Sequence, residues 1–363
     1  MKRIWPLPFF SFLKIINDNG GLSAKGILHM TPWLIKTILL EPFRWIEILL
    51  CNRKIEQYNI PHAPIFILGH YRSGTTYLQR IFMQDSRFGY MSIFQMILPE
   101  LMLTFEKILT AFFEKICRLL HVKNPFHRIP FTFHFPGETD VGMTTLINPH
   151  AEQWGQLFPT KMQTYFDKYV LFDKITEYEI EKWKEGYIYM IKKVSIKNRH
   201  KQLVLKSPPD TARIKILLEL FPNAKFIHIC RNPYDVYAST KRLINMLRNN
   251  YVLGKTRLVD FNELIVTIYV KMMNSYLEDK KLVPVENLKE IKYESFVQFP
   301  IKYMQSIYSS LNLGDFSYCE NAVTDFIVKQ KTFSLIEHSI PDNEKKMITL
   351  KCKSMITYWE NLE

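Results

Sequence analysis

The sequence predicts an α/β protein built on a central parallel β-sheet, flanked by helices and carrying a P-loop after its first strand. Three observations predict it. A glycine-framed turn, Gly69-His70-Tyr71-Arg72-Ser73-Gly74-Thr75-Thr76, joins an apolar strand-like run to a helix-like run. A second apolar run ends in Arg231 and is followed by Asn232-Pro233, a helix-start signal. Short apolar runs then alternate with helical stretches along the chain, the pattern of a parallel sheet.

Taken in order, residues 1–60 read as a helical N-terminal extension packed on the main domain. Residues 61–363 read as the P-loop α/β domain, with helical insertions around 100–200. The chain starts with a basic, apolar segment, but Pro6, Pro8 and Lys14 and the lack of a small-x-small cleavage pattern argue for its retention. Residues 33–50 form the most membrane-like stretch. They contain Lys36, Glu41, Arg44 and Glu47 and are expected to break at Pro42, so they do not read as a bilayer span. At helical spacing Lys36, Arg44 and Glu47 share one side and Trp33, Leu34, Ile38, Leu39, Ile46 and Leu49 the other. The expectation is that this apolar face packs on the core; the alternative is an interfacial helix that collects an acceptor from lipid.

Pro64 to Leu68 read as the first buried strand, and residues 202–206, 224–231 and 288–293 as later ones. Helices are expected at 101–122, 175–196, 211–220 and 233–249, the first two shaping an acceptor pocket. That region is rich in phenylalanine (Phe112, Phe113, Phe126, Phe131, Phe133, Phe135) and poor in clustered cations, which favours an apolar acceptor over a polyanion. Residues 342–353, with Lys345 and Lys346, read as a solvated face or as a loop able to close over a ligand.

The glycine loop has the chemistry of an anion cradle, because its N–H groups and the following helix N-terminus converge on one point. An ATP-binding loop carries Lys after its second glycine, and here that position is Thr75. The loop's cation is Arg72, which suits a transferred group less charged than phosphoryl, such as sulfuryl. The later strands end in cations rather than metal-binding carboxylates, so no metal is expected. In the second motif Arg231 stands at a carboxyl strand end and Ser239 about two turns into the helix, both able to face the crevice where open sheets bind nucleotides. Together they can hold a second phosphate.

These two motifs, in this order and each after a strand, resemble the sulfotransferase family, which uses 3′-phosphoadenosine-5′-phosphosulfate (PAPS) and releases 3′-phosphoadenosine-5′-phosphate (PAP). The resemblance runs from about Pro64 to Phe299 and includes Tyr293-Glu294-Ser295-Phe296. It implies that Arg72, Ser73, Gly74, Thr75 and Thr76 bind the 5′ side of the donor and Arg231 and Ser239 its 3′ side. It also implies that Lys206 offsets charge on the sulfate. Small-molecule members of the family place a catalytic His two residues after that lysine, where this chain has Pro208, which cannot take a proton. Tyrosylprotein and many bacterial sulfotransferases use a glutamate base, and the resemblance points to Glu138. His134 is the second candidate and Asp140 the third, while His70 could face the donor from inside the loop.

Composition agrees with these readings. The formal charge of +13 suits a polyanionic donor and an anionic membrane surface. No zinc-finger, RNA-recognition or leucine-zipper pattern accompanies it, so nucleic acid is not the expected partner. Cys51, Cys117, Cys230, Cys319 and Cys352 are widely spaced and fit neither a disulfide framework nor a metal site, pointing to the cytoplasm, including the inner face of the membrane. The expected ligand is a small-molecule hydroxyl acceptor such as a sterol or lipid. A sugar or peptide acceptor, a small-molecule P-loop kinase and a catalytically silent membrane-surface protein are the competing readings. No oligomeric state is implied.

Overall fold

The computed structural model describes residues 8–121, 132–146, 148–256, 259–330 and 340–362. Most of the chain's first ten residues, Phe126 and Phe131 thus lie outside the described residues. Five strands form one sheet: β1 (Ile65–Leu68), β2 (Phe88–Gly89), β3 (Gln202–Lys206), β4 (Lys225–Cys230) and β5 (Leu288–Lys292). Their order is β2-β3-β1-β4-β5, and every pair is parallel. The fold class expected from the sequence is the one observed. Strand β2 has only two residues, too short to leave a periodic signal.

Strands β1, β3 and β4 carry buried apolar residues on both faces because both are covered, whereas the edge strand β5 buries only Ile291. Phe66, Leu68, Leu203, Leu205 and Phe226 join the larger core on one side of the sheet. Ile65, Ile67, Val204, Ile227, Ile229 and Ile291 join a second core on the other. Register sets Ile67 of the central β1 beside Lys206 and Ile227, so the carboxyl ends of β1, β3 and β4 come together where the P-loop leaves β1.

The helices that frame the site are α1 (Ala24–Gln57), α2 (Thr75–Phe82), α3 (Glu106–Leu119), α4 (Thr139–Thr145), α5 (Glu177–Lys197), α6 (Pro233–Asn250), α7 (Phe261–Asp279) and α8 (Asp342–Lys351). Helix α6 starts as the sequence predicts: the Asn232 side chain accepts from Tyr234 N–H, and Pro233 takes the first helical position. The stretch expected as one helix at 211–220 is a 3₁₀ turn, Pro208–Ala212, followed by a helix over Ile214–Leu220. The Pro208-Pro209 pair removes two backbone donors there and favours the tighter turn.

Two expectations about α1 are overturned. The helix runs unbroken through Pro32 and Pro42. Of the apolar face expected on the core, Trp33 and Leu34 pack there, but further along the helix the charged side turns inward instead. Arg44 and Glu47 are buried, with Glu47 2.7 Å from the Lys193 ammonium and accepting from the N–H groups of Leu103 and Thr104. Lys36 donates to Ile97 O at 2.6 Å. Ile38, Leu39, Ile46 and Leu49 face outward, Leu49 with 80% of its surface exposed. Partners from distant parts of the chain for Glu47 and Lys36, with Glu41 pairing Arg44 within the helix, outweigh the amphipathic preference of the isolated helix. Phe105, just before helix α3, packs against Phe43 of α1 (ring centroids 5.5 Å apart). Leu40 of α1 and Leu109 and Phe113 of α3 join one small apolar cluster, and α3 exposes Ile108, Phe112, Ile116 and Leu119. Among the described residues no helix is long and apolar enough to cross a membrane.

Residues 342–351, expected as a solvated face or closing loop, form helix α8. It is docked by buried Ile348 and by Glu344, which pairs with Lys241 at 2.5 Å and accepts from the Tyr237 hydroxyl at 2.8 Å.

Candidate active site

The P-loop closes tightly on itself. Ser73 N–H and Oγ both donate to His70 O, at 3.1 and 2.7 Å, and Gly69 N–H donates to Thr211 Oγ1 at 2.8 Å. Gly74 has φ +99°, and a Cβ there would lie 2.3 Å from the Tyr293 ring, so only glycine fits. Arg72 sits in left-handed backbone at φ 71°, an unfavourable conformation for a residue with a Cβ, and one that functional sites retain. Thr75 and Thr76 open helix α2.

This conformation brings the two sequence motifs together. Arg72 Nε donates to Ser239 Oγ at 2.9 Å, and Arg231 Nη1 donates to Arg72 O at 3.2 Å. The Arg231 guanidinium lies 4.7 Å from the centroid of the Tyr293 ring, and Glu294 accepts from Asn232 N–H at 3.0 Å, so the Tyr293-Glu294 pair braces the turn after β4. Burial, then the neighbouring Arg231 and Arg242 guanidinia, push the pKa of Arg72 below its ordinary value, with Tyr293 and Glu138 opposing. Arg231 Nε is buried without a hydrogen-bond partner. Crowded cations and an orphaned donor at strand ends fit a polyanionic ligand.

Lys206, at the end of β3, carries the other half of the site. Its side chain is 2% exposed and its ammonium pairs with Glu138. Glu138 occupies the N-cap position of α4 without capping it, which leaves the carboxylate free for Lys206. Ile93 N–H donates to Phe135 O and Gly137 N–H to Met91 O, both at 2.7 Å, and these bonds pin the chain just before it. Asp140 anchors the segment from the other side. It accepts from Ser207 Oγ at 2.7 Å and from both terminal nitrogens of Arg213 at 2.7 and 2.8 Å.

Arg213 is wholly buried and uses all five N–H donors, on Asp140, Asp210 and Tyr169 O. Asp140, third in line as a base by sequence, thus has both carboxylate oxygens engaged by Ser207 and Arg213, two residues from Glu138. His134 is not brought to this group by any contact the structure shows: its side chain is 70% exposed and lies 3.9 Å from Glu114. His70 is buried and donates from Nδ1 to Tyr71 O at 2.9 Å, and burial lowers its pKa to about 4.

Sequence reasoning missed Arg213, Asp210 and Glu152. The Asp210–Arg213 spacing of three residues was the one local signal for the first two, and Glu152 left none. Glu152 is buried beside the loop, accepting from Tyr71 OH at 3.2 Å, and burial, with Asp140 nearby, raises its pKa to about 7. A chamber with a cavity volume of about 40 Å³, open to solvent at its mouth, lies between the loop and helices α6 and α7. Neither α3 nor α5, expected to shape an acceptor pocket, lines it. Among the described residues no cluster of His, Cys, Asp or Glu is placed to hold a metal ion.

Known proteins resemble this chain in sequence and in fold. The sulfotransferase family model (Sulfotransfer_3) matches residues 64–317. The omega-hydroxy-beta-dihydromenaquinone-9 sulfotransferase Stf3 of Mycobacterium bovis is 30% identical over 310 residues, covering 85% of this chain and 71% of that protein. The crystal structure of sulfotransferase STF9 from Mycobacterium avium superposes with a TM-score of 0.72 at 15% identity, covering 99% of this chain and 88% of that one. STF1 from Mycobacterium tuberculosis H37Rv gives a TM-score of 0.67 at 14% identity, covering 95% and 90%. With the family model spanning the loop, Glu138, Lys206 and the Arg231–Ser239 helix alike, the chain belongs to the sulfotransferase family and is an enzyme of that class.

Proposed function

We propose that the enzyme moves the sulfuryl group of PAPS to a hydroxyl of an apolar small molecule. The observation that carries the donor reading is the convergence of Arg72, Arg231 and Ser239 beside the Lys206–Glu138 pair at the strand ends. In this reading Ser73, Gly74, Thr75 and Thr76 present the loop and helix N-terminus to the 5′ side, and Arg231 and Ser239 hold the 3′ phosphate. The donor supplies the electrophilic sulfur. Glu138 takes the proton of the acceptor hydroxyl as its oxygen bonds to that sulfur, and Lys206 and Arg72 hold the charge on the sulfuryl oxygens and the leaving phosphate. Arg213, through Asp140, keeps Glu138 in place. The relative whose name specifies an omega-hydroxy menaquinone supports a lipid alcohol as acceptor.

Calorimetric titration with PAP, PAPS and ATP plus magnesium tests the donor. The expected result is metal-independent binding of PAP in the micromolar range or tighter, at least about 100-fold tighter than ATP, a gap of about 2.7 kcal/mol. ATP preference or no nucleotide binding would overturn the reading.

We further propose that the enzyme works at a membrane surface, through α1 and α3. Their outward residues, Ile38, Leu39, Leu49, Ile108, Phe112 and Ile116, make an apolar face beside exposed Lys107, Lys115 and Arg118. That combination suits a bilayer carrying anionic lipid. The protein should float with vesicles of phosphatidylcholine and phosphatidylglycerol. Leu49→Glu together with Phe112→Glu should abolish flotation, and its persistence would argue against this surface.

A further inference from the structure

The chamber beside the P-loop is apolar apart from a few groups. Its walls include Met162, Leu243, Ile244, Leu247, Ile265 and Ile268. Into that wall are set three polar side chains, each more than nine-tenths buried: His70, Glu152 and Thr240. His70 Nε2 and Thr240 Oγ1 have no hydrogen-bond partner. Leaving a buried polar atom unpaired costs about 1–3 kcal/mol, so two in one cavity call for a ligand group.

The chemistry of that group follows from the partners. His70 Nδ1 lies 2.9 Å from Tyr71 O, and a carbonyl oxygen only accepts, so the ring's proton is on Nδ1. Nε2 is then a bare acceptor and needs a donor. A hydroxyl can give its proton to that nitrogen and accept from Thr240 with its own oxygen, whereas a carbonyl would leave Nε2 unpaired. The Glu152 carboxyl already receives Tyr71 OH and Gln156 Nε2, and the Arg248 guanidinium, also in the lining, lies 4.6 Å from the centroid of the Phe261 ring. Lys206 and Glu138 are not among the lining residues, so this polar spot is separate from the proposed reaction centre. The link between them is Tyr71, which lines the chamber and whose phenol is raised by burial, by Glu152 and Asp140, and by Glu138.

We infer that the chamber takes up an apolar part of the acceptor and fixes its orientation through a second hydroxyl, which donates to His70 Nε2 and accepts from Thr240 Oγ1. The ligand's identity as acceptor rests on the function proposed above; its binding does not require the donor. His70 and Thr240 are thus positioning and specificity residues, and the transferred hydroxyl lies elsewhere on the same molecule.

The test compares indane, 2-indanol and 2-aminoindane by calorimetric titration of the full chain without nucleotide. The wild type should bind 2-indanol about 10-fold tighter than indane, the worth of one hydrogen bond network of about 1.4 kcal/mol. Thr240→Val, nearly unchanged in volume, should bring that ratio close to unity. On the wild type, 2-indanol but not indane should shift the His70 Nε2 nitrogen resonance, so the assay decides even if the variant does not fold. Equal affinities for indane and 2-indanol, an unmoved His70 resonance, or tighter binding of 2-aminoindane would overturn the inference. Failure of PAP to bind in the separate nucleotide titration would overturn the donor reading and leave this result standing.

Discussion

Glu138→Gln is expected to lower kcat by roughly 10²–10⁴-fold, the usual contribution of a positioned general base. The substitution keeps the shape of the side chain and an oxygen for the Lys206 ammonium, while removing the site that accepts a proton. Lys206, with 2% of its side chain exposed, then loses its counter-charge and remains available to an anion. PAP affinity should therefore be retained or increased. Sulfur-labelled donor under single-turnover conditions, with PAP affinity measured in parallel, separates the chemical step from binding. Turnover within a few-fold of wild type would show that another group takes the proton. His134, on Glu114 and largely exposed, is the one to substitute next.

Arg213→Met is expected to destabilise the fold by about 3–5 kcal/mol, the cost of leaving buried charges unpaired. Two carboxylates, Asp140 and Asp210, would lose their shared cation in a site with no exposure, and Tyr169 O would lose two donors. Packing alone does not set the cost, although the guanidinium also lies 4.8 Å from the centroid of the Trp183 ring. Adding Asp140→Asn to Arg213→Met should recover part of the loss, because it removes one of the stranded charges. Urea unfolding of the single and double variants near neutral pH measures both effects. A loss under about 1 kcal/mol for Arg213→Met would contradict the view that this cluster anchors the Glu138 segment. The activity of the double variant should stay low even where stability returns, since neither the Asp140 carboxylate nor the Arg213 guanidinium remains to anchor the segment that carries Glu138.

The sheet was legible in the sequence because β1, β3 and β4 carry apolar runs buried on both faces, while the edge strand β5 shows itself by position, between helical stretches. The two anion-facing motifs were legible for a related reason. Glycine at φ +99° and the Asn232-Pro233 helix start are local backbone requirements, and local requirements leave residue types at fixed spacings. Lys206 was found by resemblance and by its place at a strand end.

What the sequence by itself determined, then, is the parallel α/β scaffold and the residues that line the strand ends. The tertiary structure decided the rest. It turned the charged side of α1 inward, because Lys193, Leu103, Thr104 and Ile97 offer Glu47 and Lys36 partners that no helical-face analysis of residues 33–50 contains. It engaged Asp140, a candidate base by sequence, with Arg213, which lies 73 residues away in the chain. It also assembled His70, Glu152 and Thr240 around one chamber from three separate elements. Periodicity and spacing record what neighbours along the chain need; pairing of buried charges and orphaned polar atoms depends on which distant segments meet.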